Sequence, residues 1–144
     1  MKQKLYNILL ETFKKSSPSF TGLGLLICDN VDNIPTYPLY NTQPNIVGNS
    51  ISEQLLELSS LENTHHDGFH ILSSNFQITH IAQYFYPQPV EGMCLDSEKN
   101  YGARYFVAQA GSIISPVLYT AVVGNNYGIR IFQNGKEILG GEID

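Results

Sequence analysis

Apolar positions recur along this chain in two rhythms, one of three to four residues and one of short alternating or unbroken runs. Residues 3–15 show the first. Leu5, Ile8, Leu9, Thr12 and Phe13 share one face, and Lys14 and Lys15 suit the C-terminal end of a helix dipole. Ser16-Ser17-Pro18-Ser19 ends that helix. Its polar face is not strongly basic, so it is expected to pack on its own domain rather than on a membrane. Gly22 to Cys28 is an unbroken apolar run between turn signals and reads as a buried strand. Its glycines precede or fall within the strand, which rules out a dinucleotide fingerprint. Residues 29–48 are irregular and predict only a short strand near Tyr37–Tyr40. Ser50 to Ser60 predicts a second helix, with a capping box of Ser50 and Glu53 and one face of Ile51, Leu55, Leu58 and Leu61.

From Thr64 the chain leads into a strand through Leu72, turns near Asn75, and returns as residues 77–85, a hairpin. Residues 86–100 read as a surface loop. Gly102 opens a small-residue helix that Ser112 closes, ahead of Ser115-Pro116. Strands are then expected over 117–123, 127–132 and 136–139, with turns at Gly124-Asn125-Asn126 and Asn134-Gly135. The order predicts an α/β fold of mixed α+β type, one central mixed sheet flanked by helices, in a single domain spanning 1–144. The N-terminal helix falls within 1–16.

Composition narrows the function classes. At 144 residues the chain can bury a core without disulfides or metals. Charged residues are 15% and hydrophobic ones 42%, which argues against disorder. Net charge is −5 and no basic cluster exceeds Lys14-Lys15, so duplex nucleic acid is not an expected partner. No apolar run is long enough to span a membrane, and no signal peptide is recognisable. Cys28 and Cys94 form no CxxC pair. They read most simply as two reduced thiols of a cytoplasmic protein, with a single disulfide as the alternative.

Most short chemical motifs are missing. His65, His66, Asp67 and His70 look metal-like, but in a strand they would divide between two faces and gather no three ligands. No Walker loop or GxSxG elbow is present. Two segments remain. Asp67, at a strand entrance, could hold a divalent ion together with substrate phosphates. Gly102-Ala103-Arg104 places one of only two arginines at a helix start, where free N–H groups favour an anion.

Taken in order, these segments resemble the diadenylate cyclase domain, which joins two ATP molecules into cyclic di-AMP. That family has a His-Asp-Gly-Ala strand entrance, then Arg-His-Arg at a helix start, a Val-rich strand and a hairpin ending in Gly-Lys. Here they read His66-Asp67-Gly68-Phe69, Gly102-Ala103-Arg104-Tyr105-Phe106, Tyr119–Val123 and Asn134-Gly135-Lys136. The resemblance covers residues 22–140 and implies a three-layer fold. It implies that Asp67, with Mg²⁺ or Mn²⁺ and bound ATP, activates a ribose 3′-hydroxyl. It implies that Arg104 sits among phosphates, and it extends the ligand site to Gly68, Gly102, Ala103, Tyr105, Phe106 and Ser112.

The chain departs from the family where charge matters. Tyr105 stands for the histidine, Phe106 for the second arginine and Phe69 for a small alanine. Gly124-Asn125-Asn126 replaces the polar end of the Val-rich strand. Loss of one preorganised contact to a transferring phosphate costs about 10²–10³ in rate. The expectation is therefore a catalytically degenerate domain that binds a nucleotide or related small molecule as a sensor or regulatory module. An active but atypical cyclase making cyclic di-AMP is the first alternative. A protein-interaction module built on Tyr84, Phe85, Tyr86, Tyr105 and Phe106 is the second, although core packing is the simpler account of most of these rings. A homo-oligomer fits each reading.

Overall fold

The computed structural model describes residues 1–46, 48–89 and 101–141. Seven strands form one mixed sheet: β1 Leu23–Ile27, β2 Thr36–Pro38, β3 Phe69–Leu72, β4 Ile78–Phe85, β5 Tyr119–Gly124, β6 Gly128–Gln133 and β7 Lys136–Gly141. Their order across the sheet is β2-β4-β3-β1-β5-β6-β7. β1 runs parallel to β3, and the other pairings are antiparallel. Helices α1 Lys2–Lys14, α2 Ile51–Leu58 and α3 Ala103–Gly111 complete the described elements.

β1 explains the layering. All five of its residues are buried, and alternate side chains go to opposite cores. Leu23, Leu25 and Ile27 join Leu5, Ile8 and Leu9 of α1 and Leu55 of α2. Leu26 joins Ala108 of α3, Val122 and Phe132. Two helices therefore cover one face and α3 covers the other, as the predicted mixed sheet flanked by helices requires.

Local chemistry sets the helix ends. Ser50 caps α2 by accepting from the Glu53 N–H at 3.2 Å. The Glu53 carboxylate reaches one residue further back than a capping box would, to the Asn49 N–H at 2.8 Å. α2 stops at Leu58, because Ser60 bridges to Phe20 and the Leu61 N–H donates to the Ser19 carbonyl at 2.8 Å. Leu61 is consequently 65% exposed, and the expected fourth apolar position on that face is corrected.

Two strand boundaries differ from the sequence reading. β3 begins at Phe69, so His65, His66 and Asp67 lie in the turn before it and the two-face alternation does not apply to them. β5 begins at Tyr119 rather than 117, after a cis Ser115–Pro116 bond. The short strand expected near Tyr37–Tyr40 lies at Thr36–Pro38. Cys28 is a buried free thiol; Cys94 lies outside the described residues.

β3 and β4 are joined across a bulge, with Phe69 opposite Gln83 but Ile71 opposite His80. Ala82 adopts φ +53° there. Two side chains satisfy the N–H groups the bulge frees. His70 Nδ1 accepts from Ala82 N at 3.0 Å, and Gln43 Oε1 accepts from Ile81 N at 3.0 Å.

Candidate functional site

The parallel pairing of β1 with β3 brings their N-terminal ends to one edge of the sheet, beside the C-terminal ends of β4 and β5. Gly22, Asp67, Gly68, Gln83 and Gly124 gather at this edge. α3 delivers Arg104 to it. Arg104 Nη1 makes a long 3.5 Å bond to the Thr21 carbonyl, and it lies 2.6 Å from where a Cβ on Gly22 would stand.

The two arginines differ sharply in their surroundings. Arg130 is paired with Glu137 at 3.3 Å and donates from Nε to the Tyr127 carbonyl at 2.9 Å. Among the described residues, no carboxylate lies within ion-pair distance of the half-buried Arg104. Its uncompensated charge is felt nearby. Burial first, then Arg104, then His65 hold the His70 imidazole down at about 4. Burial raises the Tyr127 phenol, and Arg104 opposes that rise. Because His70 Nδ1 accepts from a backbone N–H, any proton on the neutral ring sits on Nε2.

The start of α3 is open. Gly102 caps it at φ 89°, ψ −175°, a backbone region that essentially only glycine enters. No side chain caps the helix, and a Cβ on Gly102 would meet nothing within 4 Å. The first helical bond runs from the Phe106 N–H to the Gly102 carbonyl, so Ala103, Arg104 and Tyr105 head the helix with N–H groups that the helix itself does not use.

Across the edge, Asp67 is 63% exposed, with Oδ1 3.5 Å from His66 Nδ1. His66 Nδ1 and His65 Nε2 are buried without hydrogen-bond partners. Gly68, at φ +79°, is in a close approach that admits no side chain. A Cβ would stand 2.6 Å from the Gln83 carbonyl and 2.9 Å from Leu39 Cδ1. Among the described residues, no three His, Cys, Asp or Glu side chains converge to hold a metal. A divalent ion at Asp67 would take its remaining ligands from bound phosphate and water, a pattern that suits Mg²⁺.

The side chains of Tyr105 and Ser112 are committed away from this edge. Tyr105 turns onto β6 and β7, with its ring 5.0 Å from Phe132 and its hydroxyl donating to Glu137 Oε1 at 3.1 Å. Phe106 is half-buried. Ser112 lies at the far end of α3, about 13 Å along a nine-residue helix. Its Oγ accepts from Gly135 N at 2.8 Å and donates to the Gln109 carbonyl at 2.7 Å, fastening α3 to the β6–β7 turn. Phe69 is buried, with its ring over Gly24 and edge-on to Phe85.

Two of the rings expected to serve an interaction module, Tyr84 and Tyr86, are exposed, together with Tyr37. Tyr37 pairs with Tyr84 across β2 and β4, and the Tyr84 and Tyr86 rings lie 5.4 Å apart. Tyr84 faces away from α3, because its neighbour Phe85 packs on Gly111, and Tyr86 lines a groove with Ala110, Ile113 and Ile114 at the far end of that helix. The alternation Tyr84-Phe85-Tyr86 at the end of β4, with Phe85 buried, carried the signal.

No protein-family model matches this chain, and no curated protein matches it. Solved structures do. A hypothetical membrane spanning protein from Bacillus cereus superposes with a TM-score of 0.66 at 17% identity, covering 96% of this chain. The chain spans 61% of that protein's length. A double mutant of DacA from Staphylococcus aureus superposes with a TM-score of 0.63 at 17% identity, over 96% of this chain and 88% of DacA. The chain has a DacA-like fold. This agrees with the three-layer fold that the family resemblance implied. Among the described residues, no helix is long and apolar enough to cross a membrane.

Proposed function

We propose that this domain binds a nucleotide, or a related anionic small molecule, at the sheet edge between Asp67-Gly68 and the start of α3, and that it has lost cyclase chemistry. The observation that carries the reading is Arg104. A half-buried guanidinium with no carboxylate partner among the described residues stands beside helical N–H groups that the helix leaves unused. A phosphate placed there would receive charge-assisted bonds from the guanidinium and the helix start.

Each residue has a distinct task. Arg104 and the Gly102–Tyr105 backbone hold phosphate. Asp67, exposed at the opposite side, holds a divalent ion that arrives with the nucleotide. The metal supplies charge neutralisation, and in an active enzyme it would lower the proton affinity of the attacking hydroxyl. Loss of catalysis rests on two positions. Tyr105 spends its side chain on β6 and β7, and Phe106 has no charge to offer a transferring phosphate.

Titration calorimetry of the full chain with ATP and with cyclic di-AMP, each with Mg²⁺ and with Mn²⁺, tests the reading. Saturable heat that Arg104→Ala reduces at least tenfold is expected, with no cyclic di-AMP detected by mass spectrometry after prolonged incubation with ATP. Absence of heat at millimolar ligand sinks the binding claim, and a cyclic product sinks the claim of lost chemistry.

A further inference from the structure

Tyr105 follows Arg104 directly, yet its side chain is committed in another direction. Its ring packs edge-on against Tyr101 at 4.9 Å, Tyr127 at 5.8 Å and Phe132 at 5.0 Å. Its hydroxyl donates to Glu137 Oε1, and Arg130 Nη1 holds both oxygens of that carboxylate at 3.3 and 3.4 Å. Arg130 is fixed in turn by the Tyr127 carbonyl, and its guanidinium stacks 5.5 Å from the Tyr101 ring centroid. Tyr101 also meets Tyr127 at 5.1 Å.

This cluster brackets Gly102. Tyr101 lies on one side of that glycine and Tyr105 on the other, and both rest on the same β6–β7 surface. Gly102 itself resists nothing, since it has no side chain and no neighbour within 4 Å of a Cβ. The helix start has no side-chain cap. The first turn of α3 is thus anchored on β6 and β7 through Tyr101 and Tyr105, while Arg104 reaches the Thr21 carbonyl and Ala108 accepts from Thr120 Oγ1.

The geometry points to Tyr105 as a positioning residue: through Glu137 and Arg130 it latches the first turn of α3 so that Arg104 is held toward the sheet edge before any ligand arrives. The functional weight of this latch rests on the anion-binding reading above. Preorganisation lowers the ordering cost that binding would otherwise pay. Burial, then Glu137, push the Tyr105 phenol up to about 12, so it stays protonated and donating at neutral pH.

The test uses Tyr105→Phe, Glu137→Ala and the double variant. The chain has only two arginines, so its arginine side-chain Nε–Hε spectrum has two signals to assign. Glu137→Ala is the cleaner probe, because Glu137 bonds Tyr105 and Arg130 rather than Arg104. Each single variant is expected to shift and broaden the Arg104 signal and to weaken ATP binding about 3–10-fold, the worth of one hydrogen bond. The double variant is expected to be no worse than the poorer single one, since both cut the same latch. A hydroxyl with a merely structural role would lower the melting temperature and leave the Arg104 signal and ATP affinity unmoved, and that result overturns the proposal. Should the wild type bind no ATP, the nucleotide reading falls, and the Arg104 signal in Glu137→Ala decides the latch by itself.

Discussion

Arg104 Nη1 occupies space that any side chain at Gly22 would need, 2.6 Å from a Cβ built there. The Val123 carbonyl bounds the same notch at 3.2 Å. The guanidinium tip can move but the β5 backbone cannot. Gly22 also holds φ +103°, which an L side chain adopts only under strain. Gly22→Ala is therefore expected to cost about 1–3 kcal/mol, read as a lower urea midpoint at unchanged m-value. It should also displace Arg104 and weaken any anion bound there. An unchanged midpoint together with unchanged anion affinity would mean that the notch is not closed.

His70 ties stability to pH. Its imidazole is buried beside the β3–β4 bulge, and its pKa falls to about 4 from an ordinary 6.5. The unfolded chain takes up a proton below about 6.5, while the folded chain resists until about 4. Its contribution is thus complete above pH 6.5 and is lost as pH falls toward 4. Between pH 6.5 and 5 the loss should be about 2 kcal/mol. Urea unfolding at several pH values measures it. In His70→Asn this component of the slope should vanish; the Asn Oδ1 can still accept from the Ala82 N–H, and the variant is weaker at neutral pH through the lost packing of the ring. A slope that persists in the variant assigns the effect to other groups.

Some of this was legible along the chain and some was not, for physical reasons. α2 could be read because its signals are local: Ser50, Glu53 and apolar spacing lie within a few residues of one another. β1 could be read because a strand buried on both faces must be apolar throughout. The end of α2 could not, since Leu61 is turned out by ties to Ser19 and Phe20, some forty positions away along the chain. The bulge at Ala82 leaves no local trace either, because His70 and Gln43 satisfy it from separate segments. In the candidate site, Gly102-Ala103-Arg104 at a helix start was readable from spacing alone. The destination of Tyr105 was not, as it depends on Glu137, 32 residues further on.

Cys28 is buried among Leu26, Ile71 and Phe85, and desolvation followed by Asp29 raises its thiol to about 11. Thiolate is the reactive form, so the folded protein should modify at Cys28 only through opening of the sheet. Alkylation with peptide-level mass mapping separates Cys28 from Cys94. Cys28 labelling is expected to be slow in buffer and fast above the unfolding midpoint in urea. Rapid labelling of Cys28 in buffer would contradict its burial.

Gly111 closes α3 against the ring of Phe85, and a Cβ there would lie 2.2 Å from two ring carbons. Phe85 cannot readily give way, because it is buried and its other side meets Phe69 at a centroid distance of 5.3 Å. Alanine ordinarily favours a helix over glycine by about 1 kcal/mol, so the sign here is set by a contest between propensity and clash. A contact this short forces a shift of packed side chains, typically costing about 1–3 kcal/mol, and the clash wins. Gly111→Ala should lower stability, whereas Phe85→Leu should lose packing but open room beside the helix. The double variant is then expected to be more stable than the sum of the two single losses by about 1 kcal/mol. A purely additive double variant would show that the Gly111 backbone moves instead, taking α3 and Arg104 with it, and the Arg104 side-chain signal would report that movement directly.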